Sequence, residues 1–338
     1  MTPQEIQELL GRVAPRGTWC SLRIVETHNE SYTVRDDALL PPRSTTDRGA
    51  MITVVSGNGQ GIAATCDLSP GGLYQAARVA LDWAHAASDQ GVVDFSKAPR
   101  PQRSGTWSHP VEKPWEESTP KEIVDRLRSS CLSMAGDERV VQRVASLSRS
   151  CSETTLVTTD EVVIKQKHDR IIPWLQVLAS DGSDVQTRTN GGRSDAQLGG
   201  LEVLDKVNFD GLGSQIREDA LETLLAPICP SGIMDAVIGP AQMVLQVHES
   251  IGHALELDRI LGDERNYAGT SFVKTEDLGS LRWGPEILDV VIDPGVEGEV
   301  CSTGFDDEGL EAEKVSLIDK GRLVRGIGGS LSAQRLDM

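Results

Sequence analysis

The first part of the chain alternates apolar and polar residues in a way that predicts β-strands covered by one helix. The strand-like stretches are 22–34, 50–55 and 61–65. The glycine-rich stretch 57–61 joins the last two and predicts a hairpin turn rather than a nucleotide-binding loop, because no helix follows it. A helix is predicted from Pro70 to about Ala87, since Ser69 suits an N-cap and proline suits the first helical position. Residues 1–96 are therefore expected to form an α/β section.

A proline-rich stretch, residues 97–118, predicts a linker or a long crossing loop. After it, Thr119 is suited to cap a helix that runs to about Ser133. Alternating patterns then predict strands at 139–148, 154–158, 161–167, 171–180 and 184–189. Residues 119–210 are expected to form a middle, mainly antiparallel β section with one helix.

The last section, residues 211–338, mixes short helices and strands. The pattern predicts a helix over 214–225 and another that begins at Pro240. Strands are predicted at 234–238, 287–292, 314–318 and 322–327. The expected fold class is α+β, with a β-sheet and covering helices in the first two sections, followed by a strand-rich domain.

Charge and composition narrow the classes of partner. The chain has 338 residues and a formal net charge of −18, which argues against duplex nucleic acid or an anionic membrane surface as a partner. No apolar segment reaches membrane-spanning length and residues 1–17 lack a signal-peptide pattern, so a cytoplasmic protein is expected. The cysteines stand singly, without a CxxC pair, and are expected to be buried and reduced.

The informative segment is His248-Glu249-Ser250-Ile251-Gly252-His253, an HExxxH motif. Two imidazoles are suitable zinc ligands, and a neighbouring glutamate can deprotonate a metal-bound water. On a regular helix an i, i+5 spacing would separate the two side chains by about 140°. A π-type turn would bring them onto one face, so we expect a π-bulge over 249–253, with Gly252 easing the deformation.

The sequence around this motif resembles the TldD/PmbA family, also called the TldD/TldE or modulator-of-gyrase family. The resemblance rests on residues 240–247 leading into HESIGH, on Ala254-Leu255-Glu256-Leu257-Asp258, on Tyr267-Ala268-Gly269-Thr270-Ser271 and on Gly304-Phe305-Asp306-Asp307-Glu308-Gly309. It also covers Asp47-Arg48-Gly49 and Asp67-Leu68-Ser69-Pro70. It implies that 211–338 is a metallopeptidase domain, that His248 and His253 hold one Zn²⁺ and that Glu249 is the general base.

The resemblance also implies a third ligand, a cysteine in a carboxy-terminal part that this chain does not match. The chain is therefore expected to resemble a TldD-like member whose metallopeptidase domain is C-terminally truncated. Glu256 and Cys301 are possible substitute ligands or residues that support the ligands. Expected partners are a peptide or unfolded protein substrate, and a second copy or a TldE/PmbA-like paralogue in a dimer.

Two functions follow as hypotheses. The first is a zinc-dependent peptidase that hydrolyses unfolded or extended peptides through a metal-bound water activated by Glu249. The second is a catalytically incomplete or inactive TldD-like partner or fragment that binds peptide or metal without turnover. Zinc affinity and peptide turnover distinguish them.

Overall fold

The computed structural model describes residues 1–91, 93–191 and 195–336 and confirms the α+β class. Its helices are α1 (Pro3–Val13), α2 (Pro70–Gln90), α3 (Pro120–Ser133), α4 (Glu202–Lys206), α5 (Gly213–Leu225), α6 (Pro240–Val247), α7 (Leu257–Leu261) and α8 (Ser330–Arg335). Its strands are β1 (Trp19–Arg35), β2 (Ala38–Leu39), β3 (Arg43–Ser56), β4 (Gly59–Thr65), β5 (Gly105–Ser108), β6 (Val140–Thr158), β7 (Val163–Ser180), β8 (Val185–Gly191), β9 (Gln197–Leu198), β10 (Val290–Ile292), β11 (Val315–Asp319) and β12 (Arg322–Leu323). No helix in these described ranges combines the length and the apolar character needed to cross a bilayer.

One nine-stranded sheet unites the first half of the chain. Its main order is β4-β3-β1-β6-β7-β5, with β2 on β1 and with β8 and β9 on β7. The pairs are antiparallel except β5 with β7. Since β1 pairs with β6 from Ser21 to Arg35, the predicted N-terminal and middle sections share this sheet.

The helices α1, α2, α3 and α5 pack on one face of the sheet. Leu22 lies beside Ile52 and Val157 in the strand register, and all three are buried against α1 and α2. A second core around β6 and β7 is closed by α3 and α5. Side chains along a strand alternate between the two faces of the sheet. The residues next in sequence to Leu22, Ile52 and Val157 therefore point to the opposite face, which we call the open face.

The open face carries polar residues and is partly covered by later segments. The β6–β7 register pairs Thr154 with Gln166 and Ser152 with His168 on this face. Phe305 and Trp107 pack against its apolar patch. A groove therefore remains between the polar strand residues and the segment that contains Phe305.

The structure corrects several predicted elements. The four strands expected between 139 and 180 are two long strands, β6 and β7. Residues 234–238 form no strand, since they lie exposed and pair with no other strand of the described chain. The helix α1 was not predicted, although Thr2 and Glu5 form its capping box.

The cysteines also differ from expectation. Burial was the default expectation for each of them, and Cys20, Cys131 and Cys151 are buried. The prediction is wrong for Cys66 and Cys229, which are exposed, and Cys301, expected to be semi-exposed unless it is a ligand, is exposed as well.

Candidate metal centre

The helix α6 leads directly into the HExxxH segment. Gly239 precedes Pro240 at the first helical position, where the missing proline N–H costs no hydrogen bond. At His248 the helix widens into a π turn that ends at Gly252. The backbone N–H of His253 donates to the carbonyl of His248, five residues earlier. The predicted π-bulge is therefore present, beginning one residue earlier than expected.

The widened turn brings the two imidazoles together. The ring centroids of His248 and His253 lie 4.3 Å apart, edge to face. One ligand atom from each of His248, Glu249 and His253 lies within 4.8 Å of the others. His248 and Glu249 are exposed and His253 is half-buried, so the group faces solvent on one side.

The ring of His253 is held by a carboxylate on its other nitrogen. Nδ1 of His253 lies 2.8 Å from Oε1 of Glu256. Nη2 of Arg259 lies 3.2 Å from the same Nδ1, but a guanidinium only donates, so the shorter contact to the carboxylate places the proton on Nδ1. The lone pair of the neutral ring is then on Nε2, which faces Glu249 at 4.0 Å.

Glu256 is in turn held by Arg259. Nε of Arg259 donates to Oε2 of Glu256, and Nη1 donates 2.9 Å to the carbonyl of Ala268. Partial burial raises the pKa of Glu256, but the hydrogen bonds from His253 and Arg259 outweigh it and the pKa lies below its ordinary value. Glu256 is therefore an anion at neutral pH.

Apolar packing against the small β10-β11-β12 sheet holds the HExxxH segment in place. Ile251 and Leu255 are buried in a cluster with Leu317, Ile318 and Leu323 of the small β10-β11-β12 sheet. The backbone of Leu257 donates 2.7 Å to the carbonyl of Ile327, and Ile327 donates 2.7 Å back to Leu255. Side chains on both sides of His253 are therefore anchored, which limits how far its imidazole can move.

The donor set fits a zinc ion in its chemistry. Two imidazoles and a carboxylate within 4.8 Å are ligand types that zinc accepts. The bond from Glu256 to His253 is the carboxylate–histidine arrangement that commonly supports such ligands. Each side chain therefore presents the atom that a divalent ion requires.

The other candidate residues lie in different surroundings. Glu256 contacts Nδ1 of His253, not the converging atoms. Cys301 lines the groove on the open face of the large sheet. Asp306 closes a turn by accepting N–H donors from Glu308 and Leu310.

One residue of this centre was missed in the sequence. Arg259 holds Glu256, and no role was predicted for it. The Glu256–Arg259 spacing of three residues is the signal that could have indicated the pair, because residues three apart face each other on a helix.

Comparison with known proteins gives matches at both ends of the chain. Residues 20–87 match the PmbA/TldA metallopeptidase domain 1, and residues 231–338 match the PmbA/TldA metallopeptidase C-terminal domain. The HExxxH segment lies in the second match.

Curated relatives carry the name metalloprotease. One from Methanothermobacter thermautotrophicus is 28% identical over 60% of this chain and 42% of its own length. One from Synechocystis is 26% identical over 98% of this chain and 68% of its own length. The chain thus spans about two fifths of the Methanothermobacter relative and about two thirds of the Synechocystis relative.

A solved structure shares the fold of the whole chain. It is a candidate modulator of a DNA gyrase from Thermotoga maritima, with a TM-score of 0.76 and 18% identity over 100% of this chain and 73% of that one. The two domain matches and the named relatives agree with this likeness. The chain belongs to the PmbA/TldD metallopeptidase family.

Proposed function

We propose that this chain is a TldD-like, zinc-dependent peptidase that hydrolyses unfolded or extended peptides. The observation that carries the proposal is the convergence of ligand atoms from His248, Glu249 and His253 within 4.8 Å. The family and the metalloprotease names of the relatives support the reaction class.

The residues of the centre have different roles in the proposed reaction. When bound, zinc supplies a Lewis acid that lowers the pKa of a water molecule and polarises the peptide carbonyl. His248 and His253 would hold the ion through imidazole nitrogens. Glu249, next to His248 and exposed, takes a proton from the attacking water and returns it to the leaving amine. Glu256 keeps the ring of His253 oriented.

Hydrolysis of an unfolded peptide by the zinc-loaded chain tests this assignment. Glu249→Gln keeps the size of the side chain and removes the base, so we expect the turnover rate to fall about 10²–10⁴-fold, as removal of a general base does. Glu286→Gln is the matched control, because Glu286 is exposed and forms only a 3.9 Å ion pair. Equal turnover by Glu249→Gln and the parent chain would refute the role of Glu249.

A second candidate function is a partner that binds metal or peptide without turnover. The observation in its favour is that the converging group in the described part of the chain offers only two imidazoles once Glu249 is reserved for proton transfer. Catalytic zinc sites usually have three protein ligands, and fewer ligands weaken binding. Loss of zinc on dialysis together with no measurable turnover would favour this candidate.

A further inference from the structure

A groove of about 420 Å³ lies on the open face of the large sheet, apart from the metal centre. Its floor is made by β1, β6 and β7, and its wall by residues 301–307. No residue of its lining belongs to the His248–Glu249–His253 group. Pockets for small organic ligands begin at about 300 Å³, so the groove has room for more than water.

Arg170 is the cation that has no charged partner among the described residues that line this groove. Its Nε donates 3.0 Å to the carbonyl of Val300, and no carboxylate of the described chain forms an ion pair with it. The side chain is half-buried, and burial lowers its pKa, although a guanidinium stays charged at neutral pH. A desolvated cation without an anion raises the energy of the folded chain unless a ligand neutralises it.

The acidic residues at the rim of the groove do not neutralise Arg170. Asp307 pairs with Arg23, and Asp306 accepts the backbone N–H groups of Glu308 and Leu310. Burial and then the charge of Arg170 lower the pKa of His168, so this imidazole adds little positive charge at neutral pH. Arg170 is therefore the positive charge that the groove leaves without an ion pair.

Hydroxyl and thiol groups line the same groove as the guanidinium. Ser152 and Thr154 lie on β6, beside His168 and Gln166 of β7, and all four line the groove. Cys301 lies on the opposite wall and is exposed. A guanidinium with free N–H groups binds a carboxylate through two parallel hydrogen bonds, and hydroxyl groups along the groove can donate to other polar atoms of the ligand.

We propose that this groove is a binding site for a carboxylate on a small organic body, with Arg170 as its anchor. The carboxylate belongs either to a free organic acid or to the carboxyl-terminal residue of a peptide. The bond to Val300 fixes Arg170 through Nε, and neither Nη atom forms a hydrogen bond or an ion pair with another described residue. The site functions without the metal centre and is independent of the peptidase proposal.

The exposed thiols allow a direct test in the full chain without added zinc. A ligand on Arg170 shields Cys301 from iodoacetamide, whereas Cys66 and Cys229, also exposed, serve as internal references. Mass spectrometry follows the alkylation rate at each cysteine. The probes are acetyl-Ala-Ala with a free carboxylate, the same peptide as its amide, and succinate.

We expect acetyl-Ala-Ala to slow alkylation of Cys301 about tenfold at ten times its Kd, because the rate follows the unliganded fraction. The amide should give no protection, and the references should keep their rates. Protection by succinate as well assigns a carboxylate on any small body, and protection by the peptide alone assigns a peptide chain end. Both results support the site.

Two variants test whether protection of Cys301 depends on Arg170 itself or on the loss of any arginine from the sheet. Arg170→Gln should abolish the protection, and Arg43→Gln, which removes an exposed arginine elsewhere on the sheet, should keep it. The comparison of rates with and without ligand corrects for any change that Arg170→Gln makes in the intrinsic reactivity of Cys301, whose neighbour Val300 loses its hydrogen bond to Nε. Protection by the amide, protection that survives Arg170→Gln, or no protection by either carboxylate probe would overturn the proposal.

Discussion

At the scale of single residues, two successive contacts hold the imidazole of His253 in place. Arg259 holds Glu256, and Glu256 holds His253. The sequence could indicate His248, Glu249 and His253, because their spacing lies within one short motif. The sequence did not decide whether Glu256 is a metal ligand or a residue that supports a ligand, since spacing alone does not show which ring nitrogen a carboxylate contacts.

Glu256→Ala tests this chain of contacts. Without the carboxylate, the ring of His253 loses its orientation and its Nδ1 partner, so we expect the zinc Kd to rise about 10–100-fold. Competition with a chromogenic chelator measures the affinity. Glu286→Ala is the control, because its side chain is exposed and lies on another segment. An unchanged zinc affinity in Glu256→Ala would remove Glu256 from the account.

At the scale of elements, the π turn and the long strands show what the pattern predicts and what it leaves open. The i, i+5 spacing of the histidines predicted the π turn, because only that geometry lets both rings share an ion. The strand pattern predicted β6 as two strands, since polar residues such as Ser150 and Ser152 interrupt the apolar sequence. They lie on the open face, where a polar side chain is compatible with a continuous strand.

The structure changes the role expected for Gly252. Its φ of −53° is an ordinary helical value, and an added Cβ would lie 3.8 Å from the nearest atom, the carbonyl oxygen of Val247. We therefore expect Gly252→Ala to keep zinc affinity within about twofold and to leave stability equal or up to about 1 kcal/mol higher. Chelator competition and thermal unfolding measure both quantities. A loss of zinc binding would show that the π turn requires glycine.

Gly61 provides the contrasting case. A Cβ at Gly61 on β4 would lie 1.9 Å from the carbonyl oxygen of Ala80 on α2. Gly61→Ala must push the helix from the sheet, so we expect a loss of about 1–3 kcal/mol, the range for overpacking. Urea unfolding of both glycine variants under the same conditions gives the comparison, and equal stability of Gly61→Ala and the parent chain would contradict the close packing of α2 on β4.

At the scale of the whole molecule, one sheet joins segments that are distant in the chain. The groove depends on this arrangement, since Arg170 and Val300 are 130 positions apart and meet only in the fold. No local pattern could have predicted it. The α+β class was predictable because strand-like and helix-like stretches follow one another along the chain, whereas the strand order and the covering of the open face depend on long-range pairing.

The net charge of −18 also acts at this scale. Duplex DNA binding depends on lysine and arginine neutralising phosphates, and a predominantly negative field opposes it. We expect no shift of a duplex in an electrophoretic mobility assay near physiological salt, with or without zinc. A retarded band that weakens as salt rises would contradict this expectation and would indicate that a basic surface binds the DNA phosphates.

The most direct test of the central claim is an equilibrium zinc titration of the parent chain and of the double variant His248→Ala/His253→Ala. The account predicts one zinc ion per parent chain, released only by a competing chelator, and loss of that ion in the double variant. Circular dichroism of both proteins checks that the variant keeps its fold. Equal zinc stoichiometry and affinity in a folded double variant would contradict the assignment of the metal centre to His248 and His253.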